Sequence, residues 1–151
     1  MLQFEGGRDF PLPPAELWPK LRDARFLVQC IPDSTVQGEP TIDRAQCHVR
    51  PGVAFVRGTI EVTLEVAEAV EPTLLRWLLL SKGIGTTSDV EAVVNFAAKD
   101  AGTHIHWKAE VKRLGGLLKA VPSGLIRGAA QKVIEDLWKG VAALGIEPRA
   151  Y

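Results

Sequence analysis

The sequence has no excess of charge of either sign: 18 lysines and arginines balance 18 aspartates and glutamates. A nucleic-acid partner needs a basic field to draw it in, so that class is not expected. Cysteine is scarce as well. Cys30 and Cys47 are the two present, without disulfide-framework spacing, and they read as reduced thiols of a cytoplasmic protein. Long apolar runs are missing. The longest, from about Leu74 to Leu80, is broken by Arg76 and is far too short to span a bilayer. Met1 to Arg8 lacks a basic segment followed by an apolar one, so no secretory leader is expected.

Catalytic signatures are missing too. The chain contains no nucleophile elbow and no HExxH. Gly83-Ile84-Gly85 reads as a turn, because no GxGxxG and no following helix accompany it. Glu61, Glu65, Asp89 and Glu91 fall on wet strand phases or in turns, so alternation supplies no buried acid or base. His104 and His106 are two residues apart on one strand face, a spacing that can hold a metal. They share their phase with Lys108 and Lys112, read as solvent-facing, and no carboxylate or cysteine is near in sequence. No metal site and no cofactor are therefore expected. Cys47 and His48 cannot form a side-by-side pair, since adjacent strand residues point to opposite faces.

What is present is alternation. Leu2, Phe4 and Gly6 alternate with Gln3, Glu5 and Gly7 in a short opening strand, stopped by Pro11 and Pro13-Pro14. Pro14 suits the first turn of a helix carrying Leu17, Trp18 and Leu21, and a second short helix runs from Ala24 to Cys30. A weak strand over 34–37 and another over 45–50 follow, with a bulge or corner at Pro51-Gly52. Then Ile60, Val62, Leu64 and Val66 face one way while Thr59, Glu61, Thr63 and Glu65 face the other, as in a sheet with one dry face. Strands over 74–82, 89–98 and 103–113 are joined by short turns, which implies an antiparallel meander.

The chain closes on a long amphipathic helix from about Pro122 to Leu144. Leu125, Ala129, Val133 and Leu137 form its stripe, flanked by Ile126, Ala130, Ile134 and Val141. The reading is one α+β domain over residues 1–151: a curved antiparallel sheet, two short helices after strand 1, and a long C-terminal helix across the concave side. Val62, Leu64, Trp77, Leu79, Phe96 and Trp107 are candidates to face that helix. Gly128, Ala129 and Ala130 allow either close helix–sheet approach or empty space, and periodicity leaves the two open.

The chain resembles the START-like, or SRPBCC, helix-grip superfamily, and within it the CoxG group, named for a component of carbon monoxide dehydrogenase. The resemblance covers nearly the whole chain. It rests on Phe4-Glu5-Gly6, Pro13-Pro14-Ala15-Glu16-Leu17-Trp18, Cys30-Ile31-Pro32, Gly102-Thr103, Leu114-Gly115-Gly116 and Leu125-Ile126-Arg127-Gly128. Asp33 stands where the group usually has glycine after Cys-x-Pro. The resemblance implies a cavity between sheet and helix for a hydrophobic molecule, a lipid or a quinone, with Leu125, Ala129 and Val133 opposite the sheet residues named above. It also implies a non-enzymatic accessory of a carbon monoxide dehydrogenase or related molybdenum hydroxylase. Such a protein would be cytoplasmic, with peripheral contact at the inner face of the membrane. The alternatives on the same fold are a cyclase- or hydrolase-like enzyme, marked by an ionisable group inside the cavity, and an interaction module with a filled core.

Overall fold

The computed structural model describes residues 2–50 and 58–143. The corner expected at Pro51-Gly52 lies outside them. The elements run β1 (Gln3–Phe10), α1 (Pro14–Leu21), α2 (Ala24–Gln29), β2 (Ser34–Gln37), β3 (Arg44–Val49), β4 (Ile60–Val70), β5 (Leu74–Gly83), β6 (Thr86–Lys99) and β7 (Gly102–Gly116). A 3-10 turn over Leu117–Ala120 then leads to α3 (Ser123–Ala143). The strands form one antiparallel, curved, open sheet in the order β1-β7-β6-β5-β4-β3-β2. From β2 to β7 each strand pairs with the next, as short connections favour. α1 and α2 carry the chain from β1 to the opposite edge, so the first and last strands are left to pair with each other.

Register follows from which face is dry. Phe4, Gly6, Arg8 and Phe10 of β1 stand opposite Ala109, Trp107, Ile105 and Thr103 of β7. Val94 and Phe96 of β6 stand opposite Trp107 and Ile105. Leu75 and Trp77 oppose Val94 and Ala92, and Leu64 opposes Leu79. All these side chains share the concave face.

α1 and α2 close one half of that concavity. Pro14 starts α1, and Asp23 caps α2 by accepting a hydrogen bond from the Arg25 N–H. Leu17, Trp18, Leu21, Ala24 and Val28 are buried in one cluster with Leu64, Leu75, Trp77 and Phe96. The Trp18 indole N–H donates to the Leu74 carbonyl at 3.1 Å and pins α1 over β5.

α3 spans 21 residues, about 31 Å at 1.5 Å per residue. Pro122 lies just before it, and its carbonyl accepts from the N–H groups of Leu125 and Ile126. The helix is rolled from the expected orientation. Ile126, Trp138 and Val141 are buried, and Ala130 and Ile134 pack beside them. Leu125 and Val133, expected to face the sheet, are 56% and 59% exposed. Two contacts near the end of the helix set this roll. The Trp138 ring packs on Phe10 with centroids 5.9 Å apart. Gly140 lies so close to the Cys30 carbonyl that any Cβ would collide with it. An apolar stripe broader than one contact face leaves the choice of roll to such details.

Candidate functional site

The concave face divides into a filled half and an open half. Leu64, Trp77 and Phe96 belong to the filled half, buried against α1, α2 and the end of α3. Val62, Leu79 and Trp107 are only half-buried, as are Val66, Val90 and Val94 on the same face. Ala129 is half-buried on α3, while Leu125 and Val133 touch no core cluster. The nine expected ligand-binding residues are therefore not brought together around one space. Trp77 is core. Trp107 stands at the junction of the two apolar clusters, beside a cleft that Trp77 does not line.

That cleft, of about 550 Å³, lies between β1 and the N-terminal half of α3. Phe4, Gly6 and Arg8 come from β1, Trp107 from β7, and Arg127, Gln131, Ile134 and Glu135 from α3. Gly6 opposes Trp107, and a Cβ at position 6 would lie 2.8 Å from the indole Cζ2. Glycine is thus required for the indole to lie across β1. Arg8 stands in phase with Phe4 and Phe10, with its guanidinium carbon 5.4 Å from the centre of the Trp138 ring. The Arg8 Nε and the Trp107 Nε1 are both buried without a hydrogen-bond partner among the described residues. Arg8 is an ionisable group on the concave face that sequence reasoning missed; a guanidinium offers donors and no acceptor, so it suits binding and not the proton transfer that an enzyme on this fold would need. The signal was available: the alternation Phe4, Gly6 continues through Arg8 to Phe10.

The histidines stand on the outer face, each beside a carboxylate from β1. His104 Nδ1 is 2.5 Å from Asp9 Oδ1, and His106 Nε2 is 2.9 Å from Glu5 Oε2. Among the described residues, no three His, Cys, Asp or Glu side chains converge as a metal site would need. Hydrogen bonds from Lys99 first, then His104, hold the Asp9 carboxyl below the ordinary carboxylate range. A carboxyl with a lowered folded-state pKa stabilises above its unfolded value, near about 3.9, and loses that contribution as pH falls through the folded value. Asp9→Asn is therefore expected to lower stability at pH 6 and to approach the wild type at pH 2. Urea unfolding at the two pH values checks this; an equal difference at both would place the effect elsewhere.

Both cysteines are buried and free. Burial pushes the thiols up to about 12 for Cys30 and about 11 for Cys47, which leaves them protonated and inert at neutral pH. Cys47 faces the core while His48 is exposed, so the two do not form a pair. Among the described residues, no helix is long and apolar enough to cross a membrane.

Solved structures with this architecture share its fold at low identity. A conserved protein from Geobacillus kaustophilus superposes with a TM-score of 0.79 at 21% identity, over 99% of this chain and 100% of that one. Mll3558 from Rhizobium loti gives 0.67 at 11%, over 94% and 95%. Ara h 8.0201 gives 0.63 at 17%, over 95% and 96%. No curated protein matches by sequence. The long helix held against a seven-stranded curved sheet is the START-like, or SRPBCC, helix-grip fold. The model of the carbon monoxide dehydrogenase G-subunit family, CoxG, matches residues 6–144, and the chain belongs to that CoxG family.

Proposed function

We propose that the protein is a non-enzymatic carrier of a hydrophobic molecule, a lipid or a quinone. In this reading it serves as an accessory of a carbon monoxide dehydrogenase or related molybdenum hydroxylase, in the cytoplasm and at the inner face of the membrane. The observation that carries the ligand reading is the unequal covering of the concave face. Val62, Leu79, Val90 and Trp107 stay half-buried on the concave face, and a cleft of about 550 Å³ opens between Trp107, β1 and α3. Apolar surface left open inside a grip is an affinity for apolar molecules. The partner enzyme is suggested by the family description, and co-purification with the products of flanking genes tests it.

Ligand binding is tested by titrating a quinone analogue and a lysolipid while following tryptophan fluorescence, with Trp107→Phe as a control. Quenching that Trp107→Phe reduces is the expected result. Ala130→Phe, projecting a ring from the sheet-facing side of α3 towards Phe4 and Ala109, is expected to abolish binding with little change in melting temperature. If that ring instead overpacked a closed interior, stability would fall by about 1–3 kcal/mol. That loss, with no fluorescence change in the wild type, would remove the carrier reading.

A further inference from the structure

We infer that the cleft between β1 and α3 binds an oxyanion, a carboxylate or phosphate at the polar end of an otherwise apolar ligand. This rests on the hydrophobic-ligand reading for the rest of that molecule.

Buried N–H groups in folded proteins nearly always meet an acceptor. Among the side chains of the described residues two do not, and both line one cleft: Arg8 Nε and Trp107 Nε1. Neither side chain can accept a hydrogen bond, so the pair calls for an acceptor oxygen and turns away a donor-only ammonium. Arg8 also brings a charge. It occupies a half-buried strand position whose neighbours in phase are Phe4, Gly6 and Phe10, where its Nε is shut off from water with no acceptor to meet it. The described residues supply that group with the face of Trp138 but with no carboxylate. A guanidinium presents a planar fork suited to two oxygens at once, which a carboxylate or phosphate offers.

The surroundings agree. Gly6 makes room for the indole N–H edge, since a Cβ there would lie 3.1 Å from Nε1. Arg127 adds a second cation at the mouth, its guanidinium carbon 5.3 Å from the centre of the Phe4 ring. Of the two acids lining the cleft, Glu5 is engaged by His106, and Glu135 lies on the exposed side of α3 without an ion pair to Arg8. Ile134 and the Trp107 ring provide an apolar wall along which a chain can continue.

Decanoate below its micelle concentration, methyl decanoate and inorganic phosphate are the probes, with tryptophan fluorescence and thermal melting as readouts. Decanoate is expected to bind the wild type at least about tenfold more tightly than its methyl ester, as a charge-assisted hydrogen bond implies. Arg8→Met keeps the bulk but loses the charge and the donors. It should lose about tenfold or more in decanoate affinity and leave the ester unchanged, with Arg8→Lys in between. Gly6→Ala displaces the indole without touching charge, should weaken decanoate several-fold, and decides the matter if Arg8→Met does not fold. Equal affinity for acid and ester, or undiminished decanoate binding by Arg8→Met, overturns the oxyanion site while leaving the hydrophobic-ligand reading intact. Phosphate that stabilises the wild type but not Arg8→Met, with no binding of decanoate, supports the oxyanion site and removes the apolar chain. Binding of none of the three overturns both.

Discussion

Gly140→Ala is expected to destabilise the protein and Gly128→Ala to stabilise it, although both add one methyl group to the same helix. At position 140 the new Cβ would collide with the backbone carbonyl of Cys30, at the end of α2. Backbone does not swing aside as a long side chain does, so α3 or the 30–32 segment must shift. Overpacking of this kind costs about 1–3 kcal/mol, more than the roughly 1 kcal/mol that alanine gains over glycine in a helix. For a chain of this size the melting temperature should fall by about 2–4 °C for each kcal/mol lost. At position 128 a Cβ meets nothing within 4 Å, so only the helix-propensity gain remains. Thermal melts of the two variants beside the wild type decide it. A Gly140→Ala protein as stable as the wild type would mean that α3 does not dock on α2 as described.

The contrast between those glycines explains why part of the fold was legible and part was not. The alternation Ile60, Val62, Leu64, Val66 and the parallel pattern Ile105, Trp107, Ala109, Val111 are local signals. Strands, turns and the inward face follow from them, and the structure keeps them. The roll of α3 is not local. Its stripe is broad enough to present either Leu125 and Val133 or Ile126 and Ile134, and the choice falls to Trp138 against Phe10 and Gly140 against Cys30. Those partners lie more than a hundred residues away in sequence.

The same limit governs the polar groups. His104 and His106 have no carboxylate near them in sequence, yet β1–β7 pairing brings Asp9 and Glu5 to them across 95 and 101 residues. Arg8 was legible in principle, because the phase of β1 extends to Phe10. What the phase could not show is that Trp107 would meet it in the same cleft, which requires the register Gly6↔Trp107. Periodicity assigns a residue to a face. It does not say which part of that face other elements cover.

Covering is what separates Trp77 from Leu79, and this gives the most direct test of a grip that is half core and half binding surface. The two stand two residues apart on β5, on one face, each apolar. Trp77 is 4% exposed, in a cluster with Leu17, Trp18, Phe96 and Trp138, whereas Leu79 is half-buried. Trp77→Ala removes a ring from a space that α1, α2 and α3 close around, and the walls can relax only in part. The expected cost is about 3–5 kcal/mol, a large share of the roughly 5–15 kcal/mol that holds an ordinary domain together. Leu79→Ala takes away a side chain that water already reaches, so the transfer loss is partial and no sealed cavity is left behind. Its expected cost is below about 2 kcal/mol, the lower end of buried leucine truncations. The order should reverse for ligand. Leu79→Ala should weaken binding of a quinone analogue or lysolipid at an unchanged fold, because the lost area belongs to the open half. Urea unfolding ranks the two variants by stability, and fluorescence titration of Leu79→Ala gives the affinity. A Leu79→Ala protein destabilised as much as Trp77→Ala, with ligand affinity unchanged, would show that β5 lies under continuous core and that the concave face has no open half.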